Sequence, residues 1–383
     1  MPDNIALITG GSGFLAQHLI RELQTRHSQD FKEIRTVDRR PFEKSIDWPE
    51  NIPISSFKAD CSVGDDLENI FAGTSAACVH QHVTPTVVFH LAGSSYPLSV
   101  YFDEIECERN NGLSIKVVTD LMVDHSVEYL VHVSDAFCVA NAADVHCLME
   151  NVTMDGPTGG VFYYGQYAKI KFAAEKLART SNGSMLKNGK TLKSGAIRPT
   201  VMYGEADSYV MPYVLQLCRQ YGRFYKLGND ISLLQFVYAG NVAGMLCKLH
   251  HSLQQDPNRF GAQVFFATDM QPPNDPHKFL APFIENAGFE MTKRGIPEEV
   301  AVPPIFLIET ASKLLYRLTG IKLGHNLPNW HVIRIMAALY NHFDWMRTRL
   351  LLDFLPVYDR PTALRLSLDW WKERSRTISK KQM

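Results

Sequence analysis

Tyr167 and Lys171 are the residues of this chain whose types and spacing best suit chemistry. Four apart in Tyr167-Ala-Lys-Ile-Lys171, they fall on one face of a helix, one turn from each other. A phenol holds its proton to about pH 10. A neighbouring ammonium lowers that value towards working pH, so the phenolate can serve as a general base. Tyr163 and Tyr164 compete for the role, but the positions four after them hold Tyr167 and Ala168, so of the three only Tyr167 has its lysine. Upstream, the apolar stretch Glu128–Val133 reads as a strand ending in Ser134-Asp135, where a hydroxyl can bond a substrate oxygen and orient it. Taken alone, the pair also fits an amphipathic helix whose lysine reaches back to water.

A glycine turn near the start of the chain gives that pair a context. Ile5–Ala16 reads Ile-Ala-Leu-Ile-Thr-Gly-Gly-Ser-Gly-Phe-Leu-Ala, an apolar strand, a tight turn and the start of a helix. This is how a dinucleotide pyrophosphate is held at a helix N-terminus. Gly10 permits the turn, Gly13 lets the backbone approach phosphate, and Ala16 is small where a third glycine is usual. A second strand, Glu33–Val37, ends in Asp38, 22 positions after Ala16. A carboxylate there accepts hydrogen bonds from the ribose hydroxyls and repels a 2′-phosphate, favouring NAD over NADP. Arg39 and Arg40 pull the other way, because a 2′-phosphate seeks arginine. A third strand, Ile54–Lys58, leads to Asp60-Cys61, where an Asp reaches the adenine edge. Another, Val87–Leu91, ends in Ala92-Gly93, whose small size leaves room at the carboxyl edge of the sheet. With a dinucleotide in place, its oxidised nicotinamide lowers the phenol further, and Lys171 would hold the nicotinamide ribose for hydride transfer.

The elements that must position these groups alternate strand and helix over the first two-thirds of the chain, with helices expected over Gly64–Phe71, Asn111–Asp124 and Gly165–Arg179 and a strand over Gly195–Arg198. The fold class is therefore α/β, a Rossmann-type doubly wound parallel sheet over residues 1–208, with a smaller, interleaved C-terminal substrate region over 209–383. Lys plus Arg (39) nearly balance Asp plus Glu (40), which argues against a nucleic-acid partner held by bulk charge. Seven cysteines without a Cys-x-x-Cys pair fit a reducing compartment and no zinc cage, and His80, His82 and His90 lack metal-ligand spacing, so no metal site is expected. Met1–Asn4 leads straight into the first strand, with no basic-then-apolar leader. No run approaches the roughly 20 apolar residues that span a bilayer. Val300–Ile308 comes nearest, and in its continuation Leu307, Ala311, Leu314 and Leu318 share one helical face. That face either lies in a membrane interface or packs on its own domain.

The chain resembles the extended short-chain dehydrogenases/reductases, and among them the 3β-hydroxysteroid dehydrogenase/Δ5-Δ4 isomerase family. The resemblance rests on Thr9-Gly-Gly-Ser-Gly-Phe-Leu-Ala16, Val88-Phe-His-Leu-Ala-Gly93 and Tyr167-x-x-x-Lys171-x-x-Ala174-Glu175-Lys176. It continues through Ile197-Arg-Pro-Thr-x-x-Tyr-Gly-Glu205, Phe236-Val-Tyr-Ala-Gly-Asn-Val-Ala243 and a closing Pro356–Trp371 segment. It implies oxidation of the 3β-hydroxyl of a steroid or sterol by NAD, sometimes with double-bond migration. It places cofactor contacts at Gly10, Gly13, Phe14, Leu15, Asp38, Arg39, Asp60, Cys61, Leu91, Ala92, Lys171 and Pro199. It also implies a homodimer and association with endoplasmic-reticulum or mitochondrial membranes through a segment like Val300–Leu318. Three departures stand out. The family's Ser-Ser-x-x-Val aligns Asp135, not Ser134, with the catalytic serine, so either residue could fill that role. Arg109-Asn110-Asn111-Gly112 leaves the structural asparagine, three before the glycine in the family, displaced by one or absent, and the 300–318 segment is more polar than a family anchor. Lys380-Lys-Gln-Met383 resembles a di-lysine retrieval signal on the cytosolic face of the endoplasmic reticulum. A decarboxylating sterol-4-carboxylate 3-dehydrogenase, a nucleotide-sugar epimerase or reductase, and a non-catalytic NAD-binding sensor remain as alternatives.

Overall fold

The computed structural model describes residues 4–141, 144–228, 231–322 and 327–381. The first half runs β1 (Ile5–Thr9), α1 (Phe14–Arg26), β2 (Glu33–Asp38), β3 (Ile54–Lys58), α2 (Gly64–Phe71) and β4 (Val87–His90). Then α3 (Glu104–Cys107) passes through a π-helical turn, Glu108–Leu113, into α4 (Ser114–Asp124). After β5 (Tyr129–Val133) come a 3₁₀ turn (Ala136–Val139), β6 (Val145–Leu148), α5 (Gly165–Thr180), β7 (Lys193–Pro199) and β8 (Val201–Tyr203). The remainder is α6 (Val210–Tyr221), β9 (Phe236–Tyr238), α7 (Ala239–Gln255), α8 (Pro257–Phe260), β10 (Val264–Ala267), α9 (Pro276–Asn286) and α10 (Glu298–Thr319). It closes with α11 (Trp330–Ala337), β11 (Asn341–Phe343), α12 (Met346–Leu350) and α13 (Arg360–Lys381).

Seven parallel strands form the main sheet in the order β10-β7-β5-β4-β1-β2-β3. The apolar β1 sits near its middle because both faces are covered, as an all-parallel sheet requires. Alternation along the strands sorts the core. Ala6, Ile8, Phe89 and Val131 pack against Leu19 and Leu23 of α1 and Val242, Leu246 and Leu249 of α7. Leu7, Val88 and Leu130 face the other way, onto α2, α4 and Ala174 of α5. The chain leaves β1 towards β2 on one side and reaches β4 on the other. This switch point opens a crevice outside the carboxyl ends of the strands, where ligands of such sheets bind.

The main sheet crosses the expected boundary at residue 208, since β10 returns to pair with β7 at its edge. At Thr200 the β7 strand bends out of the sheet into β8, which pairs with β9 and starts a second apolar core shared by α6, α9 and α13. The helix expected from Asn111 begins instead at Glu104, and its π-turn rotates Asn111 inward, where it is buried.

Residues 298–319 form one 22-residue helix despite Pro303 and Pro304. Its stripe points outward: Leu307, Leu314 and Leu318 are 66%, 57% and 76% exposed, while the residues it buries are Glu309 and Ser312. Glu309 turns inward because its Oε2 accepts from the Trp330 amide at 3.0 Å, in the first turn of α11. Among the described residues no helix is long and apolar enough to cross a membrane. Gln382 and Met383 of the di-lysine-like end lie outside the described residues.

Candidate active site

The crevice deepens into a cavity of about 790 Å³ that starts at Gly10 and Gly13 and ends against Pro304 and Ile305 of α10. At the glycine end, Gly10 has φ +70°, and a Cβ there would lie 2.9 Å from the Ala92 amide nitrogen. The first turn of α1 contains no acid, and its cap residue, Gly13, has no side chain to satisfy the free amides. A helix end left this way attracts an anion, so the turn fits a pyrophosphate. Beside it, Asp38 Oδ2 accepts from the Ser12 amide at 3.1 Å and Oδ1 from the Arg40 amide at 2.9 Å. The carboxylate is thus held against the turn itself, where a ribose would lie.

Phe14, Leu15, Leu91, Pro199 and Lys171 line the cavity with the two glycines. Ala92 is the backbone floor beneath Gly10. Asp38, Arg39, Asp60 and Cys61 stand outside the lining. Asp60 accepts from Ser62 Oγ at 2.6 Å and Arg109 Nη2 at 2.7 Å, and Arg39 reaches Glu106 at 3.4 Å on the surface. Burial pushes the Cys61 thiol up to about 12, so it stays protonated.

Deeper in, α5 carries Tyr167 and Lys171, one turn apart, to the cavity wall. Tyr167, 3% exposed, donates from Oη to Asp135 Oδ2 at 2.7 Å. The other Asp135 oxygen accepts from the Phe137 amide at 2.8 Å, capping the 3₁₀ turn that follows β5. Ser134 turns elsewhere, donating from Oγ to Glu175 Oε2 at 2.7 Å. The structure therefore brings Asp135, rather than Ser134, to the phenol. Burial, and then the Asp135 carboxylate, push Tyr167 well above the ordinary phenol value, against the lowering expected from Lys171. Burial likewise raises Asp135 and pulls Lys171 down.

Two parts of this arrangement join residues far apart in the chain, and no spacing foretells the contact. Asn111, delivered by the π-turn, accepts from Lys171 Nζ at 3.3 Å. A Cβ on Gly93 would stand 2.5 Å from Asn111 Oδ1, so the glycine makes room for that contact. The second is a buried cluster under α5. Arg198 donates to both Glu175 oxygens at 2.6 and 2.7 Å, and Arg179 adds a bond at 3.1 Å. The rest of the wall is made by Tyr213, Leu234, Phe236 and Met336, which no periodicity marks as a wall. Among the described residues no group of His, Cys, Asp or Glu could hold a metal ion.

A model of the 3-beta hydroxysteroid dehydrogenase/isomerase family matches residues 7–297. The chain is 26% identical over 293 residues to 3 beta-hydroxysteroid dehydrogenase type 7 of Mus musculus, covering 76% of this chain and 75% of the relative. It is 25% identical over 379 residues to the decarboxylating sterol-4-alpha-carboxylate 3-dehydrogenase of Saccharomyces cerevisiae, covering 96% and 97%. Among solved structures, a UDP-glucose-4-epimerase of Stenotrophomonas maltophila superposes with a TM-score of 0.66 at 16% identity, over 98% of this chain and 99% of that one. That last likeness is one of fold.

Proposed function

The chain belongs to the 3-beta hydroxysteroid dehydrogenase/isomerase family, and from that premise we propose that it oxidises the 3β-hydroxyl of a steroid or sterol to the 3-ketone with NAD. The observation that carries this reading is the cavity. It joins the glycine turn to Tyr167 and Lys171 and continues between Tyr213, Leu217, Phe236 and Met336, an apolar lining suited to a sterol nucleus. NAD would lie from Asp38 across Gly10 and Gly13 towards Lys171, and when bound it supplies the hydride acceptor. Tyr167 stands where it can take the hydroxyl proton, and Lys171, steadied by Asn111, holds the ribose and a positive charge. Asp135, at the serine position, holds the Tyr167 phenol that faces the reacting oxygen.

The outward apolar stripe of α10 supports peripheral attachment to a membrane, and we assign the cytosolic face of the endoplasmic reticulum. Inner-side residues of the same helix line the cavity, which would shorten the path of an apolar substrate out of lipid. A second reading, the decarboxylating 4-carboxylate dehydrogenase, is supported by alignment with nearly the whole yeast relative and by Arg223, a cation in the cavity wall suited to a carboxylate.

The test is NADH fluorescence during incubation with NAD and a panel of 3β-hydroxysteroids, one bearing a 4-carboxylate, with products identified by mass. A 3-ketone is expected, and loss of carbon dioxide would select the second reading. Silence across the panel with NAD still bound would overturn both, in favour of a sugar-nucleotide substrate or a sensor.

A further inference from the structure

We propose that Asp135 is the terminal proton acceptor of the oxidation, with the Tyr167 phenol as a relay between it and the substrate hydroxyl. This rests on the dehydrogenase reading above and adds a residue to its chemistry. The geometry is a direct bond, Tyr167 Oη to Asp135 Oδ2 at 2.7 Å, with both residues on the cavity wall. If Tyr167 ionised while Asp135 stayed charged, two anions would face each other at hydrogen-bond distance, away from bulk water. The pair therefore holds one shared proton and one negative charge. A carboxylic acid is stronger than a phenol by about 6 pK units, so the charge rests on Asp135 and the proton on Tyr167. The base available to a substrate is then the pair, with its acceptor capacity on the carboxylate.

The surroundings keep it so. Around Asp135 stand Tyr164 just before α5, Tyr167 of α5, Tyr209 before α6, Cys138 of the 3₁₀ turn, and Lys171 as the cation. Burial drives the three phenols and the thiol further towards their neutral forms, and His90 and His132, near Lys171, are held neutral as well. The Glu175 charge is answered by Arg198 and Arg179. Burial also makes Asp135 a stronger base than a surface carboxylate.

The step balances. The carbon-bound hydrogen leaves with its electron pair to oxidised NAD, and the C–O bond becomes a carbonyl. The hydroxyl proton passes to Tyr167 Oη as the phenol's own proton passes to Asp135 Oδ2. No phenolate is required, so turnover should survive well below the pH at which a phenol ionises.

The experiment is the pH profile of kcat/KM for oxidation in the wild type, Asp135→Asn and Asp135→Ser. Activity should fall as pH drops through the ionisation of Asp135, with a limb that moves little with temperature, since carboxyl ionisation has almost no enthalpy and phenol ionisation a large one. Asp135→Asn keeps a hydrogen-bonding side chain but no group basic enough to take the proton, and should lose about 10²- to 10⁴-fold while still binding NADH by fluorescence. Asp135→Ser should move the limb to the alkaline side. In Asp135→Asn the tyrosinate absorbance missing from Tyr167→Phe should emerge at lower pH than in the wild type. A wild-type limb in the alkaline range that shifts with temperature overturns the proposal, as does an Asp135→Asn enzyme of wild-type rate. In either case, 3-ketone formation that still depends on Tyr167 leaves the dehydrogenase reading standing. A wild type silent on the whole panel removes that reading and the relay together.

Discussion

We propose that Asp38 sets cofactor choice. It stands beside the glycine turn on the Ser12 amide, with Arg40 against its other oxygen. An adenosine ribose displacing those contacts meets two acceptor oxygens, whereas a 2′-phosphate meets a negative charge. Asp38→Asn removes the charge and leaves Arg39 and Arg40 in place. The variant should raise the NADP-to-NAD ratio of kcat/KM by about tenfold or more, equivalent to about 1.4 kcal/mol. Measuring both cofactors with one sterol decides it, and an unchanged ratio would place the discrimination elsewhere. At the same scale, Lys171 needs a partner because it is buried, and Asn111 Oδ1 is the acceptor it reaches. Asn111→Leu should cost about tenfold to a hundredfold in kcat/KM for NAD, the range for stranding a buried donor.

Elements decide where those residues point. An uninterrupted α-helix from Glu104 to Asp124 would shift Asn111 around the axis, and the extra residue of the π-turn returns it to Lys171. In α10 the element inverts the ordinary pattern. Glu309 and Ser312 face the protein, and Leu307, Leu314 and Leu318 face out. Exposed leucines add little to folding, so Leu314→Glu with Leu318→Glu should leave the melting temperature nearly unchanged. Co-sedimentation with phosphatidylcholine vesicles should fall by about tenfold or more, the equivalent of losing one buried leucine side chain. Equal vesicle binding by wild type and variant would assign the stripe to another partner.

Over the whole molecule, buried polar clusters tie the parts together. Glu205 and Tyr238, from two of the segments that carry the family resemblance, meet Arg21 of α1 in a ring of bonds at 2.7 to 2.8 Å. Asn241 joins Asp269 at 2.8 Å to the Tyr358 backbone at 3.0 Å, holding the closing segment. Those motif residues thus hold elements together and stand apart from the reacting groups. Glu175 does the same beneath α5. Burial opposes its charge, but Arg198, Arg179 and Ser134 outweigh it and hold the carboxyl below the ordinary range. A carboxylate depressed by folding stabilises above its unfolded value and loses that contribution as pH falls through the folded one. Glu175→Gln leaves the two guanidiniums under-compensated and should cost about 3 to 5 kcal/mol of unfolding free energy. Denaturant titration of the two proteins tests this, and a loss below about 1 kcal/mol would mean that water already screens the cluster.

Whatever depends on near neighbours along the chain was legible in the sequence. Four apolar residues and a threonine before Gly10, an acid at the end of the next strand, and a tyrosine one helical turn from a lysine are patterns of local geometry. They placed β1 to β5, the phosphate turn and the Tyr167–Lys171 pair. What stayed hidden depends on residues far apart in sequence. The bond from Tyr167 to Asp135 spans 32 positions and that from Lys171 to Asn111 spans 60. Which of Ser134 and Asp135 meets the phenol turns on a buried glutamate that claims the serine. The four-residue β10 is too short to carry a period, and only its burial against β7 makes it the seventh strand. Likewise the apolar stripe of α10 is plain in its spacing, but which way it faces depends on Glu309 finding α11. Backbone periodicity determines what each element is, and the pairing of buried polar groups decides how those elements are turned towards one another.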